Sequence, residues 1–335
     1  MPTPDPLQPS LFEEPLDRHE QFLQEAGTLA AALPPELRFG TSSWTYPGWT
    51  GLVYRRHYPK SGAAAAMLAE YARCPLFRAV GVDSFFYRPP SPEVLRDYRA
   101  AVPSDFPLVM KVWDRITSYA LNSPRHQMMR QAGASPATPS GSNPDWLNPS
   151  LCLDAVIGPA LEHLGQPSSV FLFEFEAIPR SAHMDVSTFA ERLDRFFGAL
   201  PQGPRYAIEI RTPEYLAPPY FDVLRAHGVA HVFNSWTRMP RIGAQLGHEG
   251  ALTAGFTVAR ALLRPGRTYN EAVDAFAPYD RIREAYPEGQ DDLVELVRRA
   301  VGMAMPIIVV VNNRLEGSSP LSIAALARRF LRTGA

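Results

Sequence analysis

Between residues 37 and 311 the chain repeats one pattern eight times: a short apolar run, then a longer polar or amphipathic stretch. The runs occupy residues 38–42, 79–84, 108–112, 170–175, 206–210, 230–233, 253–258 and 307–311. Runs that are apolar throughout, rather than alternating with polar residues, suit strands buried on both faces, as in parallel sheets. Parallel neighbours need a crossover of a dozen or more residues, usually a helix, and the intervals here are long enough to supply one. Helical periodicity is expected over 63–73, 92–101, 151–164, 186–200, 219–227, 293–303 and 322–332. A length of 335 residues fits either one α/β barrel or two smaller domains. Eight strands in a single alternating series select the first: a TIM-type (β/α)8 barrel over residues 37–332.

Two segments fall outside this rhythm. Residues 1–36 form a Pro-rich extension with one possible helix over 17–33, where Phe22, Leu23, Ala26, Leu29, Ala30 and Leu33 recur at helical spacing. Residues 122–149, rich in Ser, Pro, Gly and Asn, exceed ordinary barrel loops and are expected to be a flexible insertion or a lid. The stretch 235–250 has similar turn chemistry but carries Trp236, Arg238 and Arg241, as a ligand loop would.

Composition removes several function classes. A net charge of −1 and a pI near 6.7 supply no basic field, so nucleic acid is not an expected partner. No apolar run reaches about 18 residues, and the N-terminus lacks the basic and apolar segments of a signal peptide. A soluble, cytoplasmic protein is therefore expected, with no membrane partner. Cys74 and Cys152 form neither a CxxC motif nor a disulfide framework and read as buried thiols. Neither glycine-rich phosphate motif, GxGxxG or GxxxxGK, is present, so no cofactor is expected. Nothing in the pattern selects an oligomeric state.

In a parallel barrel the polar residues that matter stand at the C-terminal ends of the strands, where the βα-loops converge. The first run leads into Trp44 and Tyr46, and the second delivers Asp83 ahead of Tyr87 and Arg88. The third ends at Lys111, an isolated cation in an apolar strand that must find an anion. The fourth contains Glu174, with Glu176 one step further on the same face. The fifth carries Glu209 and Arg211 on one face, and the sixth ends at Asn234 ahead of Trp236. The seventh runs toward Arg260, and the eighth into Asn312 and Asn313. The catalytic candidates are Glu209, Glu174, Lys111 and Asp83. The substrate-binding candidates are Trp44, Tyr46, Tyr87, Arg88, Arg211, Asn234, Trp236, Arg260, Asn312 and Asn313.

The segments GTSSWTYPGWTGLVYRRHYP, VDSFFYRPPSPE, AIEIRTPEYL and IIVVVNNRLEG stand in the order and spacing of the YecE-like family, domain of unknown function 72. The resemblance runs from Leu37 to Phe330. It implies a barrel with a polar pocket at its mouth and no established activity. Lys111, Arg260, Asn312 and Asn313 match residues usual in that family. Elsewhere a usual Asn is Asp83, a usual Gln is Glu174, and two usual histidines are replaced by Ser118 and Thr212, as in a divergent branch.

These features lead to an expected enzyme of the hydrolase or isomerase type, acting by acid/base chemistry on a small anionic or polyhydroxylated substrate. Glu174 or Glu209 would move the proton, and Lys111, Arg211 and Arg260 would stabilise negative charge. One alternative is a non-catalytic protein binding a phosphate-bearing ligand or a nucleic-acid end. Another is a hydrolase holding a divalent metal on Asp83, Glu174, Glu209 and His231, although no HxH or HxxxH spacing supports it.

Overall fold

The computed structural model describes residues 17–121, 143–165 and 169–333. Eight parallel strands close on themselves: β1 Leu37–Thr41, β2 Ala79–Val82, β3 Leu108–Lys111, β4 Ser169–Phe175, β5 Arg205–Ile210, β6 Ala230–Ser235, β7 Thr257–Ala261 and β8 Ile307–Val311. Closure is made by β1 on β8, with Leu37 opposite Ile307 and Thr41 opposite Val311. This is the TIM-type barrel expected from the eight runs.

Strand periodicity divides the apolar residues into two sets. Ala79, Val109, Val170, Leu172, Ala207, Ala230, Val232, Val258, Ile308 and Val310 fill the barrel interior as one cluster, with Phe256 at its base. Phe39, Phe171, Phe173, Ile208, Phe233 and Val309 face outward into a larger cluster beneath the helices. Val186–Gly198 shows how a helix is fitted to that layer. Asp185 caps it by accepting a hydrogen bond from Thr188 N at 2.7 Å, and Phe189, Leu193, Phe196 and Phe197 form its buried stripe. Burying each such side chain contributes about 1.5–3 kcal/mol.

One glycine makes β1 and β2 fit. A Cβ on Gly40 would stand 2.2 Å from the Ala79 carbonyl oxygen, so only hydrogen fits there.

Boundaries differ from the sequence expectation in places with physical causes. The seventh strand is Thr257–Ala261 where 253–258 was expected: it runs past Arg260, a charged residue that ends an apolar run when sequence is read alone. Thr253 instead stitches β6 from the side, accepting from His231 N at 2.8 Å and donating to Val229 O at 2.6 Å. Tyr269–Phe276 and Ile242–Leu246 are helices that no expectation covered, both short. The expected N-terminal helix is Arg18–Ala32, capped by Asp17 and packed through Phe22, Ala26 and Leu29. The loose tail expected before it lies outside the described residues, as does 122–142 of the expected flexible insertion. Asn143 is buried against the barrel, donating to the carbonyls of Arg115 at 2.7 Å and Ser118 at 2.9 Å. Among the described residues no helix is long and apolar enough to cross a membrane.

Candidate functional site

The inward-facing series is apolar at its base and changes character one step before the strands end. Two residues beyond Val109, Leu172, Ala207, Val232 and Val258 come Lys111, Glu174, Glu209, Asn234 and Arg260. All five are buried, as is Arg211 one further step along. Glu174 and Glu209 are directly opposite each other in the β4–β5 ladder, and Asn234 is opposite Arg260 in β6–β7. Register thus delivers the charges of four strands to one layer.

Within that layer the charges pair. Glu174 Oε2 accepts from Lys111 Nζ at 2.7 Å, Arg211 Nη2 at 2.9 Å and Arg260 Nη1 at 2.8 Å. Arg260 Nη1 also bridges to Glu209 Oε2, and its Nη2 crosses the mouth to Asp83 Oδ1 at 2.9 Å. Burial alone would push the Glu174 carboxyl up, but Arg211, Lys111 and Arg260 outweigh it and hold the group well below the ordinary carboxylate range. Burial opposes the charge on Arg260 too, and Glu209, Asp83 and Glu174 more than offset that. Three cations and three carboxylates therefore form one linked network.

Arg211 is the member with unused capacity. Its Nη2 meets Glu174 and Glu209, and its guanidinium lies 3.8 Å from the ring centre of Trp236. Its Nε and Nη1 are buried with no hydrogen-bond partner, and so is Asn234 Oδ1. The Asn234 amide orientation is fixed, since Nδ2 donates to Ile210 O at 3.3 Å and Val232 O at 3.4 Å. Glu209 Oε1 is ion-paired with Arg211 but not aligned for a hydrogen bond. Unsatisfied buried donors and acceptors are costly, and at a strand-end mouth they are what a polar ligand would complete.

The other candidates divide by position. Tyr46 is half-buried beside Trp49 and Tyr279, with ring centres 5.0 and 5.5 Å away. Its phenol is pushed up to about 12, chiefly by burial, with Arg314 opposing and Asp83 adding to the shift. Asp83 itself is one-third exposed, the most accessible carboxylate of the network. Tyr87 and Arg88 are exposed on the loop after β2. Trp44 is buried, donates its indole N–H to Ala64 O at 2.7 Å and packs edge-on against Tyr98, so its polar atom serves the scaffold. Asn313 Oδ1 accepts from Ser319 N and Oγ at 2.8 and 2.9 Å, anchoring the last helix, while its Nδ2 is buried without a partner. Asn312 accepts from Arg314 N at 2.9 Å. Arg241 binds Asp292 and the Glu288 carbonyl, clamping the helix Pro287–Gly302 rather than reaching the mouth.

The metal alternative is not gathered by this geometry. Guanidinium groups stand between Asp83, Glu174 and Glu209, and His231 sits on the outer side of β6 against Phe221 and Phe233. Burial holds the His231 imidazole down at about 3, where it is neutral. Among the described residues no three His, Cys, Asp or Glu side chains converge as metal ligands do.

Sequence reasoning missed three polar residues here. Gln245 holds the backbone of Asn234 from both sides, accepting from its N at 3.2 Å and donating to its O at 2.6 Å. Glu316 is buried and accepts from Tyr286 N and Gln290 Nε2. Arg314 lies at the rim over Tyr269. Only Arg314 carried a signal, its place directly after the paired asparagines.

A family model described as protein of unknown function DUF72 matches residues 38–334. No curated protein matches the chain. Among solved structures, a DUF72 family protein from Thermotoga maritima is 18% identical at a TM-score of 0.55, covering 88% of this chain and 99% of that one. One from Enterococcus faecalis is 17% identical at 0.56, covering 88% and 95%. At these identities the likeness speaks for the fold.

Proposed function

We propose that this chain, which belongs to the DUF72 family, is an acid/base enzyme for a small anionic, hydroxyl-bearing substrate bound at the barrel mouth. The observation that carries this reading is Arg211, buried with Nε and Nη1 unpartnered, and on the neighbouring strand the unpartnered Asn234 Oδ1. An anionic oxygen would satisfy the first, and a substrate hydroxyl, as donor, the second.

Roles follow from access and charge. Glu174 is kept ionised by three cations and accepts from all of them, so it positions those cations and is a poor proton donor. Glu209 is fully buried and shares a guanidinium nitrogen of Arg260 with Glu174. No scissile bond fits between two carboxylates bridged this way, which disfavours glycoside hydrolysis by that pair. Asp83, held at one oxygen by Arg260 and one-third exposed, is the carboxylate that can reach a substrate proton. Lys111 and Arg211 supply positive charge where an oxyanion would develop.

The test is solvent exchange. Purified protein is screened by thermal shift against phosphate, sugar phosphates and hydroxy acids, and hits that Arg211→Ala abolishes are incubated in D2O and followed by NMR. Deuterium incorporation that Asp83→Asn stops, with binding retained, is the expected result. Binding with no exchange or turnover would instead favour a ligand-binding protein, the reading that the mutual neutralisation of the six charges also suits. Absence of any Arg211-dependent ligand would remove the site.

A further inference from the structure

The mouth is chemically divided. Going round the closed barrel from β3 to β7, the strand ends carry Lys111, Glu174, Glu209, Arg211, Asn234 and Arg260. Continuing from β7 through β8 and β1 to β2, the loops carry aromatic rings instead. Tyr269 and Tyr279 follow β7, Arg314 follows β8, Tyr46 follows β1 and Tyr87 follows β2. Asp83 and Arg260 join the two sectors through their 2.9 Å bond.

The aromatic sector is built around one cation. Arg314 lies 4.2 Å from the ring centre of Tyr269 and donates from Nη2 to its hydroxyl at 2.8 Å. Its Nη1 donates to Asn312 Oδ1 at 3.2 Å, while its Nε is buried without a partner. Tyr46 and Tyr279 meet edge to face at 5.5 Å, and both phenols feel the charge of Arg314. Tyr279 is held with φ at 72°, a backbone region costly for a residue with a side chain. Two of the three most exposed large hydrophobic side chains among the described residues, Tyr87 at 42% and Tyr269 at 47%, stand in this sector. Exposed rings beside the polar strand ends are surfaces for another ring.

We infer that this sector is a second subsite, which takes a sugar ring or a base attached to the anion held by Arg211, so that the substrate is a sugar phosphate or a nucleoside phosphate. The inference rests on the anion reading above and adds the ring. Tyrosine faces stack on a sugar or a base, their hydroxyls and Arg314 bind ring substituents, and the bare anion occupies the charged sector alone.

Isothermal titration with inorganic phosphate, glucose 6-phosphate and adenosine 5′-monophosphate tests this and distinguishes the two ring sources. Stacking on an aromatic side chain is worth roughly tenfold in affinity. At least one ring-bearing phosphate should therefore bind about tenfold more tightly than phosphate. Tyr269→Ala should bring that ratio close to one, and Tyr269→Phe, which keeps the ring, should preserve most of it. Arg211→Ala should weaken all three, with thermal melts confirming folded variants. Arg211-dependent phosphate binding with no ring advantage, or an advantage unchanged in Tyr269→Ala, overturns the second subsite and leaves the anion site standing. Failure of all three compounds to bind overturns both.

Discussion

Replacing Arg260 by methionine tests whether the charged layer is one coupled network. Arg260 is 3% exposed and touches Glu174, Glu209 and Asp83, so methionine keeps much of the volume but leaves two buried carboxylates short of a partner. Breaking a buried ion pair from one side costs about 3–5 kcal/mol. For a barrel of about 300 residues the unfolding entropy is about 0.6 kcal/mol per degree, so the melting temperature should fall by about 5–8 °C at pH 7. The loss should depend on pH in a defined direction. Glu174 has a depressed pKa in the folded protein, so the stability it contributes is fully present above its ordinary 4.5 and is lost as pH falls below that. Without Arg260 that depression shrinks, and the gap between variant and wild type should be widest above about pH 5 and narrow toward pH 3. Adding Glu174→Gln should recover part of the loss, with a coupling of about 1–3 kcal/mol in a double-mutant cycle. The measurement is urea unfolding at several pH values. A methionine variant as stable as wild type at pH 7, or strictly additive effects, would refute the coupled network.

Three other perturbations separate scaffold from site. Asn313→Ala removes the acceptor for Ser319 N and Oγ and should cost about 1–2 kcal/mol in urea unfolding. Gly40→Ala places a methyl 2.2 Å from a backbone oxygen and should cost more than about 2 kcal/mol or prevent folding, visible as loss of a cooperative melt by circular dichroism. His231 has its folded pKa lowered from 6.5 to about 3, so the unfolded chain takes up the proton first and stability is lost as pH falls from 6.5 toward 3. His231→Gln should flatten stability across that window, a range that begins above the one in which Glu174 acts.

The strands were legible because an inward set and an outward set that are both apolar leave continuous runs, and β8 was recovered at 307–311 without shift. At β7 the same reasoning found the strand but set it three to four residues early, since Arg260, the residue with most chemical interest, cuts the apolar run short of the strand's end. Strand-end position located Lys111, Glu174, Glu209, Arg211 and Asn234, since period 2 alone places them inside. It did not reveal that Trp44 spends its indole N–H on Ala64 and Asn313 its Oδ1 on Ser319, because those partners are set by where the following helices start. Nor did it rank the carboxylates: Glu174 and Asp83 look alike in sequence and differ only in the cations that surround each and in their access to water.

The balance of three buried cations against three carboxylates also fixes what an arriving anion must do to the proton inventory. A further negative charge beside cations this deeply buried would leave the layer one charge short, and the least costly remedy is a proton taken from solution onto the ligand. Ligand binding should then draw in close to one proton per molecule at neutral pH. In titration calorimetry the apparent heat of binding would follow the ionisation enthalpy of the buffer, with a slope near one, and Asp83→Asn, which removes one of the three negative charges in advance, should bring that slope close to zero.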